Sequence, residues 1–310
     1  MRPAFSVLLL TTLVGCAQGL AVAVALPVLW GAVPQAPWLE FWIASLWIIL
    51  GLGVIGLGAS FAHLGRPERA WRAMAMWRTS WLSREVIALP AFLGVAALSL
   101  LGLLTVQRWP GVLAALLIAG GLALWICTAM VYASVRFLRE WATPLTVLNF
   151  LLMGLASGCV LAALLALWRF TPQAMNYGRA AAVLLVAALV GRLAALVRGR
   201  SVVAAGSMQT AIGVTSPLIR QTSKGFTAGA FNTREFFHGR STSWVAGMRW
   251  VFVLFGFVLP LLLLLATPQV LRSFGWTLAL ASNLLGMLAE RWDFFAQVRH
   301  PQNRYYQAAL

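Results

Sequence analysis

The sequence predicts an all-α membrane protein, a bundle of eight transmembrane helices with both termini on the cytoplasmic side. Three observations carry this. Hydrophobic residues make up 61% of the 310 positions and charged ones only 10%, at a mean hydropathy of +0.86, whereas a soluble domain carries about 25% charged residues. Eight apolar runs reach the length of about 20 residues that a helix needs to cross the hydrocarbon layer. The cations, finally, are divided very unevenly between alternate connections.

In chain order, the first run covers 5–31. Its Leu-Val-Gly-Cys ending at Cys16 resembles a lipoprotein cleavage box, but the apolar run continues through Leu29, beyond a signal-peptide core. It is therefore read as a retained first helix. The others are 41–63, 86–106, 111–135, 144–168, 179–198, 246–267 and 273–290. None shows the period-2 alternation of a spanning barrel strand. Glycines 51, 53, 56 and 58 in the second run, and Gly154 and Gly158 in the fifth, are spaced for close helix contact. Cys16, Cys127 and Cys159 lie far apart within apolar runs, with no spacing suited to zinc or an iron–sulfur cluster. They read as small buried hydrophobes, and no metal site is expected.

Of the 23 Lys and Arg residues, nineteen fall in the N-terminus and the segments after runs two, four, six and eight. Arg108, Arg169, Arg179 and Arg272 occupy the opposite side. The positive-inside rule then places both termini and the connection after run two in the cytoplasm. The same sorting accounts for the formal net charge of +16, so no nucleic-acid partner is implied. The fifteen tryptophans suit the two bilayer interfaces.

The polar chemistry gathers in 61–86, FAHLGRPERAWRAMAMWRTSWLSREV. His63 sits at the end of the second run, which Gly65 and Pro67 terminate. Arg66, Glu68, Arg69 and Arg72 fall in a loop or short surface helix. Glu85 is placed at the start of the third helix, where the positive end of the dipole favours a carboxylate. Ionisable groups at the membrane edge are functional candidates. A quinone needs a hydrogen-bonding group at each carbonyl and a proton path, and His63, Arg69 and Glu85 around an apolar slot supply them. Arg66, Arg72, Trp81 and, from the eighth run, Arg291 extend the candidate pocket. An ion-paired helix end with snorkelling arginines is the other reading of these residues, and Arg192 and Arg249 are read as snorkelling. Glu290, Arg291 and Asp293 are either a solvated helix end or the completion of the pocket. Haem b with two axial histidines is not expected, because only His63 lies near a span while His238 and His300 are in polar segments.

The longest polar connection, 199–245, interleaves aromatic residues with cations. Arg220, Lys224, Arg234, Phe236, Phe237 and Arg240 form a candidate docking segment of interface composition, in an otherwise single integral-membrane domain spanning 1–310. An amphipathic stretch on anionic lipid is the competing reading.

The run HLGRPERA followed by SWLSREV resembles the membrane-anchor subunits of the dimethyl sulfoxide reductase type. That resemblance implies a complex of three subunits in the bacterial inner membrane. The partners would be a molybdopterin catalytic subunit and a four-cluster iron–sulfur subunit, with no haem in the anchor. It also implies His63, Arg69, Glu85 and Arg291 as quinone-site residues. The arginine-rich loop, FNTREFFHG and the opening MRPAFSVLLLTTLVG are more similar to anchors of cytoplasmic sulfite-oxidising relatives, the sulfite:quinone oxidoreductases. The expectation is a quinone (ubiquinone or menaquinone) reduced between helices two, three and eight. A quinol-oxidising anchor of a dimethyl sulfoxide or polysulfide-type reductase is the alternative. A secondary transporter would show mid-membrane charges and inverted repeats, whereas these charges cluster at one face.

Overall fold

The computed structural model describes every residue except 33–37, 63, 170–172, 203–206, 221, 223–235 and 302–310. Among the described residues there are helices and no strands, as expected where backbone groups must be satisfied without water. Seven helices are long and apolar enough to cross a membrane. They are α1 (Phe5–Leu29), α2 (Trp38–Phe61), α3 (Trp81–Val106), α4 (Gly111–Ala133), α5 (Pro144–Trp168), α6 (Ala174–Ser201) and α8 (Thr242–Ala266). A short α7 (Met208–Ile212) interrupts the long connection, for which the sequence suggests no regular structure. The last helix, α9 (Arg272–Ala296), is 25 residues long but falls outside that apolar class, because its final turns carry Glu290, Arg291 and Asp293.

Local chemistry sets the helix ends. Ser80 caps α3 by accepting from the Ser83 amide at 3.3 Å, so the helix starts at Trp81, five residues before the apolar run at 86. Gln107 adopts a left-handed conformation (φ 49°) that closes α3. Thr143 caps α5 ahead of Pro144, a residue preorganised for the first helical position. The Pro67–Met74 segment forms a 3-10 turn between α2 and α3.

The central helix is α5, with 78% of its apolar window buried against 28–44% for α2, α3, α4, α6 and α8. It meets α1 through glycines. A Cβ on Gly19 would lie 1.9 Å from the Gly154 carbonyl oxygen, and one on Gly158 would lie 2.1 Å from the Gly19 carbonyl carbon. Gly53 and Gly56 pack against Leu93 and Val14 side chains, but Gly51 and Gly58 face open space, so half of that predicted glycine row serves no close contact. All three cysteines are buried and unpaired. In α8, residues Leu254–Val258 form a π-helical turn. Ser282 Oγ and Asn283 Nδ2 of α9 donate to its Phe255 and Gly256 carbonyls at 2.7 and 2.8 Å.

Contacts across the bundle fix its two ends. Trp141 Nε1 donates to the Phe294 carbonyl at 3.0 Å, and Arg198 to the Arg139 carbonyl at 3.0 Å. The segment after α4, the end of α6 and the end of α9 therefore share one end, which is rich in arginine. At the other end Arg169 pairs with Glu40 at 3.4 Å, while Phe41, Trp42, Trp109 and Tyr177 form an aromatic layer.

Candidate functional site

Glu85 lies in the second turn of α3, not at its start, because the Ser80 cap moves the helix origin back. It shares a face with Leu89, Phe92 and Ala96, all buried, and this periodicity turns its carboxylate into the bundle. There it accepts a 2.7 Å hydrogen bond from Thr128 Oγ1 of α4. Arg84, one residue earlier, points the other way. It donates to the Trp77 and Arg78 carbonyls at 2.9 and 2.8 Å and lies 4.2 Å over the Trp81 ring.

Glu85 and Arg291 line one cavity, whose empty volume out to its open mouth is about 530 Å³. Its walls include the apolar Leu10, Leu89, Leu124, Met153 and Met287, and they come from α1, α3, α4, α5 and α9. No α2 residue lines this cavity; α1, threaded through the centre by its glycines, stands beside α3 and α9 there, where the sequence suggests α2. Two buried donors on the wall, Thr12 Oγ1 and Trp125 Nε1, have no hydrogen-bond partner. Unpaired buried donors are costly, and these two call for an acceptor inside the cavity.

Arg291 is 5% exposed. Its Nε donates to Glu290 Oε2 at 2.6 Å and its Nη2 reaches Met153 Sδ at 3.1 Å. The guanidinium lies 4.0 Å from the Phe150 ring and 5.2 Å from that of Phe294. Behind it is a buried ion cluster. Arg192 Nε is 2.7 Å from Glu290 Oε1, and Arg192 Nη2 donates to Asp293 Oδ2 at 2.8 Å. The Nε contact is electrostatic: the N–H is off line and makes no hydrogen bond. Arg249 Nε completes the group at 3.2 Å from Asp293 Oδ1. The reading of Arg192 as a snorkelling residue is therefore overturned. At 2% exposure it is an internal counter-ion for α9, and Arg249, partly exposed, pairs rather than merely snorkels. Nor are Glu290, Arg291 and Asp293 a solvated helix end.

The other predicted residues separate from this site. Arg66, Arg69 and Arg72 lie on the exposed 3-10 segment, where Arg69 is 3.9 Å from Glu68, and none of them lines the cavity. Trp81 is half-buried at the first turn of α3. His63, Lys224 and Arg234 lie outside the described residues. Arg220 is exposed and Phe237 half-buried, while Arg240 lies 5.1 Å over Trp244. Phe236 stacks on His300 with ring centroids 3.8 Å apart, which brings the end of the docking segment against the end of α9.

Sequence reasoning missed Thr12, Trp125 and Thr128. A tryptophan well inside an apolar run, away from either interface, was the available signal for Trp125. The fit to a quinone is chemical: Arg291, Trp125 and Thr12 offer donors for carbonyl oxygens, Glu85 is a carboxyl group able to carry a proton, and the walls are apolar.

The sequence matches the family described as DMSO reductase anchor subunit (DmsC) over residues 1–295. It is also 45% identical to a sulfite dehydrogenase subunit of Allochromatium vinosum, across 99% of both chains.

Proposed function

The chain belongs to the DMSO reductase anchor subunit family, and from that premise we propose that it anchors a sulfite-oxidising molybdopterin complex and passes its electrons to quinone. The molybdopterin and iron–sulfur partners would dock at the arginine-rich end, on the cytoplasmic face of the bacterial inner membrane, with 199–245 as part of their seat. In this reading α9 is the eighth span, its charges neutralised by Arg192 and Arg249.

The observation that supports quinone chemistry is the cavity between α1, α3, α4, α5 and α9, where two partnerless donors, a guanidinium and a carboxyl group surround apolar walls. Arg291 donates to one carbonyl and its positive charge stabilises negative charge developing there. Thr12 and Trp125 fix the ring's orientation. Glu85, held by Thr128, delivers the proton. Arg69 remains a candidate as an electrostatic aid, and His63, outside the described residues, as a carbonyl hydrogen-bond donor.

The test is turnover of the purified complex with sulfite, using quinone or an artificial dye as acceptor. Glu85→Gln should lower quinone-linked turnover by roughly 100-fold, the lower end for a general acid, while dye-linked sulfite oxidation and assembly are retained. Full quinone-linked turnover in Glu85→Gln and His63→Ala alike would overturn the site. Activity with another donor but none with sulfite would keep the anchor and remove sulfite.

A further inference from the structure

Behind the Glu85 cavity lies a second one, and the two share Arg291 and Phe150 in their walls. The outer cavity is lined at one extreme by Glu140, Gly199 and Gln297. These belong to the segment after α4, the last turn of α6 and the cap of α9, all at the arginine-rich end. At its inner extreme it meets Arg192, Glu290 and Arg291. Between the extremes is Asn149 of α5, 5% exposed, whose Oδ1 has no hydrogen-bond partner. That oxygen sits against the bare Cα of Gly191, where a Cβ would come within 2.6 Å of it. A buried amide oxygen without a partner, on a side chain that lines a cavity walled by charged groups, is a candidate water-binding position.

We propose that the outer cavity is the proton entry of the quinone site, a route from the arginine-rich end past Asn149 and Glu290 to Arg291 and Glu85 with room for about one bound water. The inference rests on the quinone reading above. Each quinone reduced takes two electrons from the partner's iron–sulfur clusters and two protons from water, and an O–H bond forms at each carbonyl oxygen. The electrons arrive from outside the chain, but the protons must cross it. Glu85 lies inside the bundle and holds one proton, so it must be recharged before it can deliver another. The charged groups facing the route are Glu140 from the α4–α5 connection, Arg192 from α6, and Glu290, Arg291 and Asp293 from α9, with Arg249 of α8 behind Asp293. The three guanidiniums are matched by three carboxylates. The route runs along the face offering acceptors, Asn149 Oδ1 and the Glu290 carboxylate, which hold and orient water. Asn149 is a positioning residue: it touches neither quinone nor its reacting atoms.

The test uses the purified complex of all three subunits with sulfite as donor and either a quinone or a dye as acceptor. Asn149→Leu removes the water-holding amide, and Ala195→Leu fills the same cavity without touching the polar network. Both should assemble with normal dye-linked turnover and an unchanged KM for quinone. Their quinone-linked kcat should fall about tenfold, with a larger solvent deuterium isotope effect and a steeper decline toward high pH. Asn149→Ser, which leaves a hydroxyl and room for water, should restore most of the rate. If Asn149→Leu fails to assemble, Ala195→Leu carries the test alone. Wild-type kcat and isotope effect in the assembled variants, alongside a crippled Glu85→Gln, would overturn the route and spare the quinone site. Wild-type quinone turnover in Glu85→Gln as well would remove the site itself.

Discussion

Replacing Glu290 with glutamine tests whether internal charge pairing holds α9 in the bundle. Glu290 is 1% exposed and lies between two guanidiniums, 2.7 Å from Arg192 Nε and 2.6 Å from Arg291 Nε. Unit charges about 4 Å apart attract by roughly 4 kcal/mol at an effective dielectric of about 20. Removing one partner of a buried pair costs about 3–5 kcal/mol, because the other is left uncompensated. Glu290→Gln leaves three guanidiniums to share Asp293, and Arg291 loses its carboxylate partner, so a cost near the middle of that range, about 4 kcal/mol, is expected. Arg192→Met should cost less, about 3 kcal/mol, since Glu290 keeps Arg291 and Asp293 keeps Arg249. The double change Glu290→Gln/Arg291→Met removes both the carboxylate and the cation it strands. It should therefore be more stable than Glu290→Gln alone by at least about 1 kcal/mol. Unfolding of the purified chain in bicelles by steric trapping reads these differences. A Glu290→Gln variant within about 1 kcal/mol of wild type, or a double variant less stable than the single, would refute the reasoning.

Gly19→Val should prevent α1 and α5 from closing, since even a Cβ meets the Gly154 carbonyl at 1.9 Å. A loss of about 3 kcal/mol or more is expected, whereas Gly51→Ala, with nothing within 4 Å, should melt with wild type in detergent. Asn283→Leu leaves the Gly256 carbonyl in the π-helical turn without its 2.8 Å donor, and should cost about 1–3 kcal/mol in the same melting assay. Burial, aided by a nearby positive α-amino group, holds the His300 imidazole below its ordinary pKa of 6.5. Protons thus bind more tightly when His300 leaves the Phe236 stack. The contact is complete above the ordinary value and is lost as the pH falls below it. Limited proteolysis of 199–245 should accelerate from about pH 7.5 to about pH 5.5, and His300→Ala should show fast cleavage at both.

Seven spans were legible because apolar length is a local property: 144–168 was predicted to the residue, and α1, α2 and α4 to within about three residues. The start of α3 was not, because its cap is a serine inside a polar stretch that hydropathy reads as loop. Gly154 and Gly158 were recognised as packing glycines, yet their partners Gly15 and Gly19 were not. A small-residue contact needs two surfaces, and one sequence shows only the candidates for each. The short helix Met208–Ile212 was missed for a similar reason. Its signal is a reciprocal cap between Ser207 and Thr210, and five residues are too few to show a period.

The site divides along the same line. Glu85 was singled out as an ionisable group at a membrane edge, and Arg291 as part of a charged helix end that the family resemblance also implies; both line the cavity. What surrounds them depends on distant residues. Arg192 comes from α6, about a hundred positions before its partners Glu290 and Asp293, and by local composition a lone arginine near a helix end reads as snorkelling. Its burial follows from α9: two carboxylates inside a bundle require cations, and α6, which ends on the same side of the bundle as α9, brings one to the right depth. The same pairing turns α9 from a helix too polar to count as a span into one that fits the bundle. Once α9 is seated, Arg291 faces both cavities. The charge that ends the apolar run of α9 at Glu290 is what places a guanidinium on the same cavity as Glu85.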